Sequence, residues 1–152
     1  MLKDELSKLI LETLKTKDTT RREVLRSIKA AIQGYMTDKS SPRNDKGNII
    51  YTEAVEIGIL KSMVKERMGN ADTYGKGGRE DLVKEELAQA KIIESFLPKP
   101  PTPEVITAAV EELCKTIEPV KGNIGSFMKE IKAKYPAADG KMVSEIVKAR
   151  LV

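Results

Sequence analysis

Leu2, Leu6, Leu9, Ile10 and the Thr13-Leu14 pair recur at steps of three and four residues, which lines them along one side of an amphipathic helix. That helix is expected to end near Lys15-Thr16-Lys17. Asp18 or Thr19 can cap a second helix by accepting a hydrogen bond from a free first-turn amide, and its inward stripe is Leu25, Ile28, Ile32 and Tyr35. A polar stretch from Thr37 to Tyr51 follows, with Ser40-Ser41-Pro42 and Asn44-Asp45-Lys46-Gly47 as breaking signals, and reads as a long, mobile loop. Thr52 is a plausible cap for a third helix with Ile57, Leu60, Val64 and Met68 inward, weakening from Gly69-Asn70. Tyr74-Gly75-Lys76-Gly77-Gly78 breaks the chain again. A fourth helix then starts with Glu80 and Asp81, whose charges complement its dipole, and carries Val83, Leu87, Ala90, Ile93 and Leu97.

Four such helices joined by short and medium connections describe a bundle over residues 1–97. Pro98, Pro100, Pro101 and Pro103 cannot continue a helix, so residues 98–102 are expected to be a stiff, extended linker. Beyond it, Thr102 and Pro103 make a cap and first-position pair for a helix bearing Val105, Ile106, Ala109, Val110 and Leu113. Ile124, Phe127, Met128, Ile131 and Tyr135 lie nearly on one line of a short helix closed by Pro136. Asp139-Gly140 opens the last helix, with Met142, Val143, Ile146 and Val147 inward. The expected class is therefore all-α: an N-terminal bundle, then a C-terminal three-helix domain over residues 103–152.

Composition narrows the chemistry. The 152 residues contain no histidine and one cysteine, which removes Ser-His-Asp and Cys-His pairs, imidazole metal sites, internal disulfides and thiolate zinc clusters. Cys114 closes the run Val110-Glu111-Glu112-Leu113 and reads as a partly buried small hydrophobe. Glu85-Glu86 and Glu111-Glu112 are helix neighbours pointing about 100° apart, so neither pair can share a substrate atom. Glu86 alone falls within an apolar stripe, and we expect it to pair with a basic residue of a neighbouring helix. Gly75-Lys76-Gly77-Gly78 lacks phosphate-loop spacing and a preceding strand, and reads as a turn into a helix N-terminus that could hold an anion. No catalytic residue, cofactor or metal follows from these patterns.

Charge is more informative. Residues 1–37 hold eight basic against five acidic side chains, residues 38–97 ten against eleven, and residues 120–152 seven against three. Arg22, Arg26, Lys29 and Gln33 fall in one narrow band of the second helix, opposite its apolar stripe, and are expected to be solvated. Lys129 and Lys132 share a flank of their helix, and Lys141 and Lys148 share a face of theirs. Lys121-Gly122-Asn123-Ile124-Gly125 adds a compact turn in which Gly125 would permit close approach to a phosphate. No run approaches the length of a bilayer span, and Met1-Leu2-Lys3-Asp4-Glu5 lacks the order of a secretory signal, so the expected setting is cytoplasmic.

Arg22-Glu23-Val24-Leu25-Arg26-Ser27-Ile28-Lys29, Gly78-Arg79-Glu80-Asp81-Leu82, Phe96-Leu97-Pro98-Lys99, Ile124-Gly125-Ser126-Phe127-Met128-Lys129 and Ala138-Asp139-Gly140 occur in this order over nearly the whole chain. In that succession the sequence resembles the YqeY-like family, although Gln89 and Lys91 stand where that family is usually acidic. The resemblance implies a two-part helical protein related to the tail region of the B subunit of glutamyl/aspartyl-tRNA amidotransferase, and a family label of carbon-nitrogen ligase activity with glutamine as amide donor. The phosphorylating site of that enzyme lies in a cradle domain absent here. The implied partner is tRNA, and the charge pattern offers Lys129, Lys132, Lys141, Lys148 and Gly125 as its contacts, with Arg22, Arg26 and Lys29 as a second surface, the alternative being lysine faces that serve solubility alone. The other reading is a helical module that docks on a protein, such as an aminoacylation or amidotransferase component.

Overall fold

The computed structural model describes Met1–Val152 as seven α-helices and one 3-10 turn, with a single isolated β-bridge between Arg43 and Ile49 and no strand. The chain forms two compact units, Met1–Leu97 and Pro98–Val152.

In the first unit, α1 (Leu2–Thr16) and α2 (Thr19–Thr37) form a hairpin, followed by α3 (Glu53–Lys76) and α4 (Glu80–Glu94). Local side-chain chemistry sets the starts: Asp18 Oδ1 accepts from Arg21 N at 3.0 Å, and Thr52 Oγ1 from Val55 N at 3.3 Å. Lys17 turns the chain between α1 and α2 with φ 58°, a left-handed conformation that glycine adopts more readily. Leu6, Val24, Leu25, Ile28, Ile32, Leu60, Met63 and Ile93 form the core.

Several positions depart from the expected stripes. Thr13 is buried and Leu14 is 49% exposed, because α1 is rotated so that Thr13 meets Arg22 of α2. Met68 and Leu87 are also exposed. Helix α3 does not weaken at Gly69 but runs on to Lys76, since α4 packs along it and compensates a glycine cost of about 1 kcal/mol. It ends in a Schellman arrangement: Gly78 has φ +73°, Gly78 N donates to Gly75 O at 3.2 Å, and Arg79 N to Tyr74 O at 2.9 Å. The 37–51 segment folds into a loop closed on itself. Asn44 Oδ1 accepts from Lys46 N and Asn48 N, Ser41 Oγ donates to Tyr35 O at 2.7 Å, and Tyr35 Oη donates to Ile50 O at 3.0 Å.

In the second unit, α5 (Pro103–Leu113), α6 (Ile124–Lys134) and α7 (Gly140–Arg150) enclose Ile106, Val110, Phe127, Ile131, Val143 and Val147. Thr102 Oγ1 accepts from Val105 N at 3.4 Å and Asp139 Oδ1 from Lys141 N at 3.1 Å. Val105, expected inward, is 40% exposed because it lies in the first turn, ahead of the packed part of α5. Buried Leu151 follows α7, and the tail is tied back by Val152 N to Pro119 O at 3.0 Å and Lys121 N to Val152 O at 3.3 Å.

Candidate nucleic-acid interface

On α6, burial of Phe127 and Ile131 turns Lys129 and Lys132 outward; on α7, burial of Val143 and Val147 does the same for Lys141 and Lys148. All four lysines are exposed, and none makes an ion pair. Glu111 and Glu112 of α5 are engaged elsewhere. Glu112 binds Lys115 at 2.9 Å and Glu111 binds Arg150. The hydrogen bond from Lys115 holds the Glu112 carboxyl below its ordinary range and raises Lys115, and the bond to Glu111 raises Arg150. Glu145 lies between Lys141 and Lys148 on the face of α7, which dilutes the positive field there.

Lys148 and Lys121 line the same opening of about 380 Å³, floored by Ile124 and Leu151. The structure thus joins the Lys121–Gly125 turn to the end of α7. Gly125 is the second residue of α6, and a Cβ there would meet nothing within 4 Å, so the fold does not itself require glycine.

The N-terminal band divides. Arg22 is half-buried: its Nε donates to Thr13 Oγ1 at 3.4 Å and its Nη2 to Thr13 O at 3.2 Å. The expectation that it is solvated is corrected here. Thr13 O lies in the last turn of α1, where it also accepts from Thr16 Oγ1 at 3.5 Å, and the guanidinium adds a positive charge at the negative end of that helix's dipole. Arg26 is exposed without an ion pair, and Lys29 Nζ is 3.5 Å from Ser7 Oγ.

Elsewhere, Gly75 and Lys76 belong to α3, and the first turn of α4 already faces its own acid. Asp81 pairs with Arg79 at 3.1 Å, a hydrogen bond that lowers its pKa. No group of three or more His, Cys, Asp or Glu is placed to hold a metal. Glu86 is 16% exposed in its side chain and lies 3.9 Å from Arg67 Nε of α3, as expected of it; Arg67 makes its shorter bond, 2.9 Å, to Gln89 Oε1.

A profile of the Yqey-like protein family matches residues 3–151. The chain belongs to that family. It is also similar to a protein of Vanderwaltozyma polyspora named altered inheritance of mitochondria protein 41, mitochondrial: 23% of 121 aligned residues are identical, covering 78% of this chain and 62% of the relative. The chain therefore spans less than two thirds of that relative's length. No helix is long and apolar enough to cross a membrane.

One cluster of this family member escaped the sequence patterns. Glu56 is 7% exposed; Oε1 accepts from Leu2 N at 2.9 Å, and Oε2 accepts from Lys3 N at 3.1 Å and from Tyr51 Oη at 2.8 Å. A carboxylate from α3 thus caps α1, whose Met1 supplies no side-chain cap. Burial first, then the bond to Glu56, pushes the Tyr51 phenol well above its ordinary range. The available signal was an acid four residues before Leu60, inside an apolar seam.

Proposed function

We propose that the chain is a noncatalytic RNA-binding module that contacts the phosphate backbone of tRNA through its C-terminal unit and serves tRNA-dependent amidation. The observation that supports this reading is the set of four exposed lysines on α6 and α7, free of ion pairs while Glu111 and Glu112 of α5 are engaged. Phosphates are read by such side chains without base stacking, which accords with an aromatic content of 4%. The carbon-nitrogen ligase label belongs, in this reading, to an assembled enzyme in which other subunits hold the reacting groups. We place its action in the cytoplasm, while the relative is named for mitochondria.

The test is tRNA binding as a function of salt. Lys129→Glu with Lys132→Glu weakens binding across tRNA sequences and flattens the salt slope by about one unit per lost contact. If that pair changes nothing while Arg26→Glu with Lys29→Glu lowers both, the interface is on α2. If neither matters, the protein-docking reading takes precedence; it is favoured by Met68 and Leu87, which stand 49% and 42% exposed.

A further inference from the structure

The basic band of α2 ends at an opening that an RNA interface on α6 and α7 leaves unused. Between α1 and α2 lies a cavity of about 210 Å³. Its floor is Leu6, Ile32 and Met36, of which the first two are almost wholly buried. Its rim carries Lys3 from α1 and Lys29 from α2, with the amide of Gln33 beside them.

Both ammonium groups are held by neutral partners. Lys3 Nζ sits over the Tyr51 ring, 4.9 Å from its centre, and its backbone N–H is fixed by Glu56; Lys29 Nζ reaches Ser7 Oγ. The nearby carboxylates are engaged: Glu56 accepts from Leu2, Lys3 and Tyr51, and Asp4 lies 3.7 Å from the amino group of Met1. Two positive charges on opposite helices therefore flank an apolar pocket and neither makes an ion pair, the Glu56 carboxylate near Lys3 being turned to the Leu2 and Lys3 amides and the Tyr51 hydroxyl. Immobilised charge of one sign beside a hydrocarbon floor is the complement of an amphipathic anion.

The geometry points to a binding site for a small carboxylate with an unbranched apolar tail, its carboxylate between Lys3 and Lys29 and its tail on Leu6, Ile32 and Met36. The volume equals that of about seven waters, which suits a tail of about five carbons. The site is open to solvent and shallow, so an eight-atom acid binds with a Kd of about 1 mM.

The experiment titrates sodium hexanoate into the full-length chain and follows backbone amide shifts. Saturable shifts are expected around Leu6, Ile32 and Met36. Hexylammonium, with a similar tail and the opposite charge, and acetate, with the charge and almost no tail, should produce none there at the same concentrations. Lys3→Gln with Lys29→Gln, which keeps most of each aliphatic stem, should weaken hexanoate about tenfold and leave the amide spectrum elsewhere unchanged. Absence of saturable shifts on α1 and α2 would overturn the inference. So would equal binding of hexylammonium, or undiminished hexanoate affinity in the double variant. The C-terminal RNA interface is tested separately, on Lys129 and Lys132.

Discussion

Helices α3 and α4 run side by side, yet the two ends of this pair are built differently. At the end holding Leu60, Met63 and Ile93, the pair packs against α1 and α2, and those three residues are no more than 7% exposed. At the other end, from Arg67 through the turn to Leu87, Ala71 is buried but no residue joins the cluster shared with α1 and α2, and Met68 and Leu87 stand in solvent beside Val83. Each end also carries a shielded carboxylate. Glu56 accepts three hydrogen bonds, two of them from α1, whereas Glu86 has Arg67 at 3.9 Å and Asn70 Nδ2 at 3.5 Å, both on the partner helix of its own hairpin. The difference teaches where the stability of the unit resides: one end is held by a third and fourth helix, the other by helix pairing alone.

The sharpest way to break the comparison is to truncate one leucine at each end. Leu60→Ala removes a buried side chain and leaves a cavity, at a cost of about 2–4 kcal/mol. Leu87→Ala, at a 42% exposed position, stays within about 0.5 kcal/mol. Denaturant unfolding of the two variants measures both. A cost for Leu87 comparable to that for Leu60 would mean that the exposed face around Met68 and Leu87 is covered in solution.

The carboxylates come next. Glu56→Ala strips α1 of its cap and leaves the Tyr51 hydroxyl without its partner, a loss of about 2 kcal/mol, while Glu86→Ala costs less than about 1 kcal/mol because Arg67 keeps Gln89. A pH dependence accompanies the first. Tyr51 is raised above its ordinary value near 10 by burial and by Glu56, so the folded chain retains a proton that the unfolded chain loses. That contribution is complete below about pH 10 and is lost as pH rises toward the folded value. Tyr51→Phe should flatten this part of the alkaline limb of stability, measured by urea unfolding between pH 9 and pH 11.

Features set by near neighbours were legible from the chain. Asp18, Thr52, Thr102 with Pro103 and Asp139 each act on an amide two or three residues away, so the helix starts follow from local chemistry. Features set at long range were not. Thr13 replaces Leu14 at the buried position because it meets Arg22 across the α1–α2 turn, and Glu56 is explained only by amides 53 and 54 residues away. The candidate interface divides the same way. That Lys129, Lys132, Lys141 and Lys148 face outward follows from helical periodicity, whereas the loss of Arg22 to α1 depends on Thr13 and the negative dipole end of that helix, nine residues away in the chain. Helix α3 outlasting Gly69 belongs with the long-range cases, since its continuation rests on α4.

The smallest effects locate the boundary between the two ends. Gly58 and Gly69 are both exposed within α3, and a Cβ at either would meet nothing within 4 Å, so each change to alanine should add up to about 1 kcal/mol of helix stability. Where that gain appears depends on what opens. Gly58 lies between Glu56, which caps α1, and Leu60 of the core, contacts that break only when the unit unfolds, so Gly58→Ala should slow amide exchange throughout α1–α4. Gly69 lies past the core, where the hairpin can open by itself, and Gly69→Ala should slow exchange chiefly between Arg67 and Leu87. Gly78→Ala tests the same boundary in the opposite direction: at φ +73° a side chain is strained by about 1 kcal/mol, and the faster exchange that follows should be confined to the distal turn. If Gly69→Ala and Gly58→Ala instead protect the same amides equally, the hairpin opens as one piece and its two ends share a single stability.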